Sequence, residues 1–250
     1  MNALLGEQLS IVTAKPQTTR QRILGILSEP GLQIVFMDTP GLLEPEYKLQ
    51  EFMQRSAVRT IHESDVTIAM VDASRALRDL DRDIIGHIKG SSGPVILAIN
   101  KIDRINKERV LPLIEKACQR FQFAELIPIS ALNNDGLDEL LKAVTERLPI
   151  AHPMYPPDTL TDQPERFFVG EIVREHIFTT LHDELPYACA VTVDDFKDRE
   201  NGKTYIHATI VVEKTSQKGI IIGSKGHTLK RIGTGAKVSI ETFLGRPVYL

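Results

Sequence analysis

The sequence predicts an α/β unit with a mostly parallel sheet, followed by a smaller α+β unit, in a chain of 250 residues. Three observations lead there. Up to about residue 150, strand-length apolar runs alternate with amphipathic helical stretches, the pattern of parallel strands with helices on both faces of the sheet. A proline-rich stretch then interrupts the alternation. Beyond it, a hairpin signal and a glycine-spaced loop between two helical stretches mark a different architecture.

The apolar runs Gln33–Met37, Val66–Val71, Val95–Ile99 and Ala124–Ile129 are expected to be buried strands. Leu49–Glu63, Leu80–Lys89, Lys107–Phe121 and Leu137–Leu148 carry helical patterning between and after them. Ligands of such sheets bind at the carboxyl ends of strands, so the segments after these runs are where chemistry is sought. His152-Pro-Met-Tyr-Pro-Pro157, with Pro149 before it and Pro164 after it, is expected to be extended. It divides the chain into a domain at 1–150, a linker at 151–164 and a domain at 165–250. The second domain should open with a helix over Glu165–His182 that turns Phe168, Ile172, Ile177 and Leu181 to one face. Alternating runs Ala188–Phe196 and Thr204–Val212 flank Asp198–Lys203, whose Asn201-Gly202 signals a hairpin. Two short helices then flank Gly223-Ser-Lys-Gly226 and lead to Pro247-Val-Tyr-Leu250. No internal repeat is evident.

Composition is that of an ordinary globular chain, with 42% hydrophobic and 25% charged residues. No apolar run is long enough to span a bilayer, and no basic leader with an apolar stretch opens the sequence. Cys118 and Cys189 lie far apart and form no metal-binding pair; both are expected to be buried thiols in a reducing cytoplasm rather than a disulfide. The net charge of −3 hides an asymmetry. From Lys214 to Arg246 the basic residues are Lys214, Lys218, Lys225, Lys230, Arg231, Lys237 and Arg246, with Glu241 the only acid. Such a segment is either a solvated helix surface or the footprint of a polyanion.

Three segments follow the apolar runs. Asp38-Thr39-Pro40-Gly41, with Leu42 after it, reads either as a plain strand-to-loop turn or as a phosphate and magnesium element. In the second reading the aspartate holds the ion through water and the glycine leaves its N–H open to a γ-phosphate. Asn100-Lys101-Ile102-Asp103 is sharper. A carboxylate at Asp103 accepts from both guanine N1–H and the exocyclic amine, and adenine offers neither donor. Asn100 suits the N7 edge and the Lys101 stem suits the base face. A pairing of this kind discriminates because the wrong base leaves buried groups unpaired. Ser130-Ala131-Leu132 closes the next run and offers backbone N–H groups for the guanine O6.

With these residues the chain resembles a P-loop GTPase of the translation-factor-like class, and Pro16-Gln-Thr-Thr-Arg20 makes it similar to the Era family. The resemblance covers essentially the whole chain. It implies GTP and Mg2+ as ligands, and a first switch in which Thr18 or Thr19 binds magnesium beside Asp38. Leu42 stands where some GTPases place a water-orienting glutamine, and Era-like enzymes resemble this chain in having an apolar residue there, which implies slow intrinsic hydrolysis.

One expected element is absent from the sequence. No glycine-rich loop ending in Gly-Lys-Ser/Thr is present; Gly202-Lys203-Thr204 has Lys197 where the first glycine is required. By comparison with the family, Met1–Gly6 resembles the helix that follows such a loop. The expectation is a chain truncated at both ends that binds nucleotide weakly.

Ile222-Gly223-Ser224-Lys225-Gly226 resembles the GxxG loop of a type II KH domain, where glycines admit the phosphates of single-stranded RNA and a lysine adds charge. Ile222, Leu229 and Ile232 are expected to floor the groove. The resemblance implies 16S ribosomal RNA and the small ribosomal subunit as partners, a role in 30S assembly, a monomer, and a cytoplasmic location with peripheral contact to the inner face of the membrane. The alternative reading is a nucleotide-independent RNA-binding fragment. A tandem-GTPase assembly factor of the Der type would instead show two GTPase domains and no GxxG.

Overall fold

The computed structural model describes every residue except 14, 16–17, 43–44, 46–47, 77–83 and 200–201. The chain forms two compact units: Met1–Leu9 with Thr19–Thr161, and Ser10–Thr18 with Asp162–Leu250.

In the first unit, α1 (Asn2–Leu5) is followed by an antiparallel pair, β1 (Ile23–Glu29) and β2 (Leu32–Asp38). The sequence reading recognises β2 but not β1, and places β2 in a parallel sheet. The connection explains the difference. Pro30-Gly31, with Gly31 at φ +81°, is a two-residue turn, and a turn that short joins only antiparallel strands. Gly25 interrupts the apolar run of β1 and weakens it as a strand signal. A Cβ there would lie 2.4 Å from Leu5 Cδ1 and 2.9 Å from Met1 Sδ, so those flexible side chains would have to shift.

The parallel sheet has the order β3–β4–β5, formed by Thr67–Asp72, Val95–Asn100 and Glu125–Pro128. Its central strand β4 is covered on both faces. Ile96, Leu97, Ala98 and Ile99 are all fully buried, which is why that run shows no polar alternation. Leu97 and Ile99 share one core with Ala69 and Val71 of β3. Ile96 and Ala98 face the other core with Ile127, Ile34 of β2, and Leu140, Ala143 and Val144 of α5 (Leu137–Thr145). The remaining helices of this unit are α2 (Lys48–Glu63), α3 (Ile85–Ile88) and α4 (Val110–Cys118). The first part of the helix expected at Leu80–Lys89 lies outside the described residues.

The stretch expected to be a linker from residue 151 is attached to the first unit as far as Thr161. Gln33 Oε1 accepts from Met154 N at 2.7 Å and Tyr155 N at 3.0 Å, and its Nε2 donates to Tyr155 O at 2.9 Å. Ile26 N donates to Leu160 O at 2.8 Å. Extended backbone with unspent polar groups was available to be tied down this way.

The second unit has α6 (Glu165–Thr180), the hairpin β6 (Cys189–Asp198) and β7 (Thr204–Val212), α7 (Thr215–Ile222), α8 (His227–Leu244) and β8 (Val248–Tyr249), which pairs parallel with β7. Val169, Val173 and Ile177 of α6 and Ile232, Ala236 and Ile240 of α8 pack on Cys189, Ile206 and Val248, so both helices cover one face of the sheet. Of the expected hairpin signal, Asn201 lies outside the described residues; Gly202 has φ +74°.

Candidate nucleotide and nucleic-acid sites

The carboxyl ends of β4 and β5 bring two of the predicted motifs together. Ser130 is 1% exposed, and a buried hydroxyl needs partners. Its Oγ donates to Asp103 Oδ1 at 2.6 Å. Asn100 Oδ1 accepts from Lys101 N at 2.7 Å and from Ala131 N at 3.1 Å. Ile102 N donates to Ile129 O at 3.2 Å. The segments 100–103 and 130–132 are thus one assembly. Asn100 is its strap, a duty the sequence reading, which gave that side chain only a base contact, did not assign. The amide nitrogen of Asn100 lies 3.6 Å from Met70 Sδ and is the donor left for a purine N7. Lys101 sits at φ +66°, a left-handed conformation that costs a non-glycine residue about 1–2 kcal/mol. Leu132 is 81% exposed, so only its backbone belongs to the assembly.

A residue that sequence reasoning missed completes this corner. Asp72 ends β3 in register with Asn100. Its Oδ2 accepts from Lys101 Nζ at 2.9 Å, and its Oδ1 accepts from Ser74 Oγ at 2.6 Å and Ser74 N at 3.0 Å. Burial alone would raise the carboxyl, but the bonds from Ser74 and Lys101 overrule it and lower its pKa to about 2. The available signal was its place at the end of the neighbouring strand run.

The Asp38–Leu42 segment follows β2. Asp38 and Thr39 are half-buried, Pro40 is buried and Gly41 is exposed. Among the described residues a Cβ on Gly41 would meet no atom within 4 Å, so their packing does not call for glycine there. Thr18 and Thr19 are half-buried and irregular; Thr18 goes with the second unit and Thr19 with the first.

In the second unit the loop Gly223–Gly226 joins α7 to α8. Gly223 (φ +71°), Lys225 (φ +50°) and Gly226 (φ +77°) all take positive φ. A Cβ on Gly223 would lie 2.2 Å from Thr228 Oγ1. Ser224 and Lys225 project into solvent. Ile222 and Leu229 are 38% and 41% exposed beside the loop, whereas Ile232 is 1% exposed in the core. Ile232 is therefore not groove floor: its place on α8 turns it toward the sheet.

Comparisons with known proteins agree with this geometry. Residues 1–101 match the family described as "50S ribosome-binding GTPase" and residues 184–250 match "KH domain". "GTPase Era" of Geobacter metallireducens is 46% identical over 251 residues, spanning all of this chain and 84% of the relative. "GTPase Era" of Lacticaseibacillus paracasei is also 46% identical, over all of this chain and 83% of its own length. The chain belongs to the Era GTPase family. Its fold is accordingly a P-loop GTPase domain joined to a KH domain. A crystal structure of Era with MgGDPNP and nucleotides 1506–1542 of 16S ribosomal RNA superposes with TM-score 0.92 at 39% identity, covering all of this chain and 85% of that one. Aquifex aeolicus Era bound to GDP and tetrafluoroaluminate gives 0.91 at 39% identity.

Proposed function

We propose that the protein binds and hydrolyses GTP, binds the 3′ region of 16S ribosomal RNA through its KH unit, and acts in the cytoplasm in assembly of the small ribosomal subunit. The observation that carries the proposal is the joined assembly of Asn100, Lys101 and Asp103 with Ser130 and Ala131. Ser130 holds Asp103 with its other oxygen available for the guanine N1–H and amine edge. The Ala131 backbone stands beside the O6 position, and Leu132 contributes main chain. At the phosphate end, Asp38, Thr39, Pro40, Gly41 and Leu42 would meet the γ-phosphate, and Thr19 would join Asp38 at magnesium.

No cluster of three or more His, Cys, Asp or Glu is found among the described residues. The donors invoked here, one carboxylate at Asp38 and a threonine hydroxyl, are oxygen ligands of the kind magnesium takes, since it binds through one or two carboxylates and the phosphates of its substrate rather than in a protein cage. When bound, the ion offsets phosphate charge. The chain's own residues then position the γ-phosphate and sense its loss.

Gly223, Ser224, Lys225 and Gly226 would admit an RNA phosphate, and exposed Ile222 and Leu229 would pack under bases. Among the described residues no helix is long and apolar enough to cross a membrane, so any membrane contact would be peripheral.

Two titrations test the proposal. The protein as its gene encodes it should bind fluorescent GTP with magnesium saturably, and Asp103→Asn should weaken that binding by at least about 100-fold; unchanged affinity in the variant would overturn the guanine-site reading. A 16S 3′-end oligonucleotide should bind, and Lys225→Ala should weaken it and reduce the salt slope by about one. Equal affinity for an unrelated RNA of the same length would contradict the KH assignment.

A further inference from the structure

We propose that Asp72 is a positioning residue for the guanine pocket, acting through Lys101. The proposal rests on the reading of Asn100–Asp103 as the guanine site and adds to it a residue outside the motifs. Lys101 has a long flexible stem and is 46% exposed. Left to solvent, its ammonium would sample many rotamers, and flattening the stem across a base would cost that freedom at each binding event. Asp72 removes the choice in advance. Its carboxylate is 16% exposed and lies 2.9 Å from Lys101 Nζ.

The anchor is itself fixed. Ser74 donates to the same carboxylate from both its hydroxyl and its backbone N–H. Ala73 N donates to Asn100 O at 2.7 Å, which locks the end of β3 to the end of β4. The pair therefore spans two adjacent strand ends held in register, Asp72 opposite Asn100. A surface ion pair between long mobile side chains is ordinarily worth little. Here one partner is short, half-buried and doubly bonded, and the other is the residue whose stem must lie along a planar ligand. Lys101 also keeps its left-handed φ of +66°, which sets the direction in which the side chain leaves the backbone. Backbone strain at such a position is the kind found where geometry serves a site.

The chemistry that Asp72 serves is recognition of a planar, electron-rich base face rather than of phosphate. Asp72 repels anions, so it would disfavour a phosphate placed where the Lys101 ammonium lies. The ammonium is thereby kept for Asp72 and the methylene stem for the base.

The test is equilibrium binding of fluorescent GDP to the protein as its gene encodes it. The set is Asp72→Asn, Asp72→Glu, Lys101→Ala, the double variant Asp72→Asn/Lys101→Ala, and Asp103→Asn as control. Asp72→Asn should bind GDP about tenfold more weakly, in the middle of the range for contacting pairs. Asp72→Glu should recover part of the loss, and the double variant should be no weaker than Lys101→Ala alone. A merely structural role would make the two losses add. The proposal is overturned if Asp72→Asn binds as the parent does while Asp103→Asn loses GDP, or if the losses add. If Asp103→Asn also leaves GDP affinity unchanged, the guanine-site reading itself fails. Should Asp72→Asn not fold, the Asp72→Glu and Lys101→Ala arms decide through the same comparison.

Discussion

Replacing Asn100 by alanine separates two accounts of that side chain. If it served only a base edge, its loss would leave the unliganded protein unchanged. In the structure its Oδ1 accepts from Lys101 N at 2.7 Å and Ala131 N at 3.1 Å. Two main-chain donors in a half-enclosed corner lose their acceptor, at a net cost of about 1 kcal/mol each, or about 2 kcal/mol together. In a unit of this size that lowers the melting temperature by roughly 4–8 °C. Because a chain of two units need not melt in one step, the readouts are circular dichroism melting and amide exchange at Ala131, both without ligand. Exchange at Ala131 should accelerate about 30-fold, the equivalent of 2 kcal/mol. A melting temperature within about 1 °C of the parent, with Ala131 protection intact, would refute the strap.

Gly223→Ala should destabilise the second unit by about 2–3 kcal/mol in urea unfolding, because φ is +71° and the new Cβ would lie 2.2 Å from Thr228 Oγ1. An unchanged midpoint would mean the loop rearranges freely. Asp72 has its pKa lowered from 3.8 to about 2, so its stabilising contribution is complete above pH 3.8 and is lost as pH falls through about 2. Asp72→Asn should therefore flatten the acid limb of the stability profile in that window and leave its neutral shape alone. His176 lies partly buried with its Nε2 2.9 Å from Ser239 Oγ, and burial lowers its pKa below 6.5. Its contribution is complete above 6.5 and declines as acid protonates it, so His176→Gln should reduce the loss of stability measured just below that pH.

What the sequence disclosed and what it concealed divide along the range of the interactions. The run of β4 was legible because a strand covered on both faces must be apolar at every position, as Ile96–Ile99 are, and the flanking runs of β3 and β5 showed as shorter apolar stretches beside it. The segments 100–103 and 130–132, which the structure joins at the ends of β4 and β5, stood out in the sequence because each is a short pattern of residue types following an apolar run. β1 escaped because Gly25 breaks its apolar run. The attachment of Met154 and Tyr155 to the first unit depends on Gln33, more than 120 positions away, and that of Leu160 on Ile26; no local pattern reveals a single glutamine's choice of partner. The double duty of Asn100 and the part played by Asp72 are likewise contacts across strands. They follow from register, which composition does not encode. Ile222 and Ile232 look alike as apolar residues near a glycine loop, and only their positions on α7 and α8 send one to solvent and the other to the core.

The most direct test of the central claim is a base swap at Asp103. In the proposed site its carboxylate would accept from two donors on guanine, while xanthine replaces the exocyclic amine by a carbonyl. Asp103→Asn supplies one acceptor and one donor in their place and keeps an acceptor for Ser130. Competition between GTP and XTP for the protein as its gene encodes it, parent against Asp103→Asn, should show preference for GTP in the parent. It should show preference for XTP in the variant, a reversal of at least about 100-fold. A variant that keeps the parent's preference, or a parent that binds ATP as well as GTP, would contradict the account.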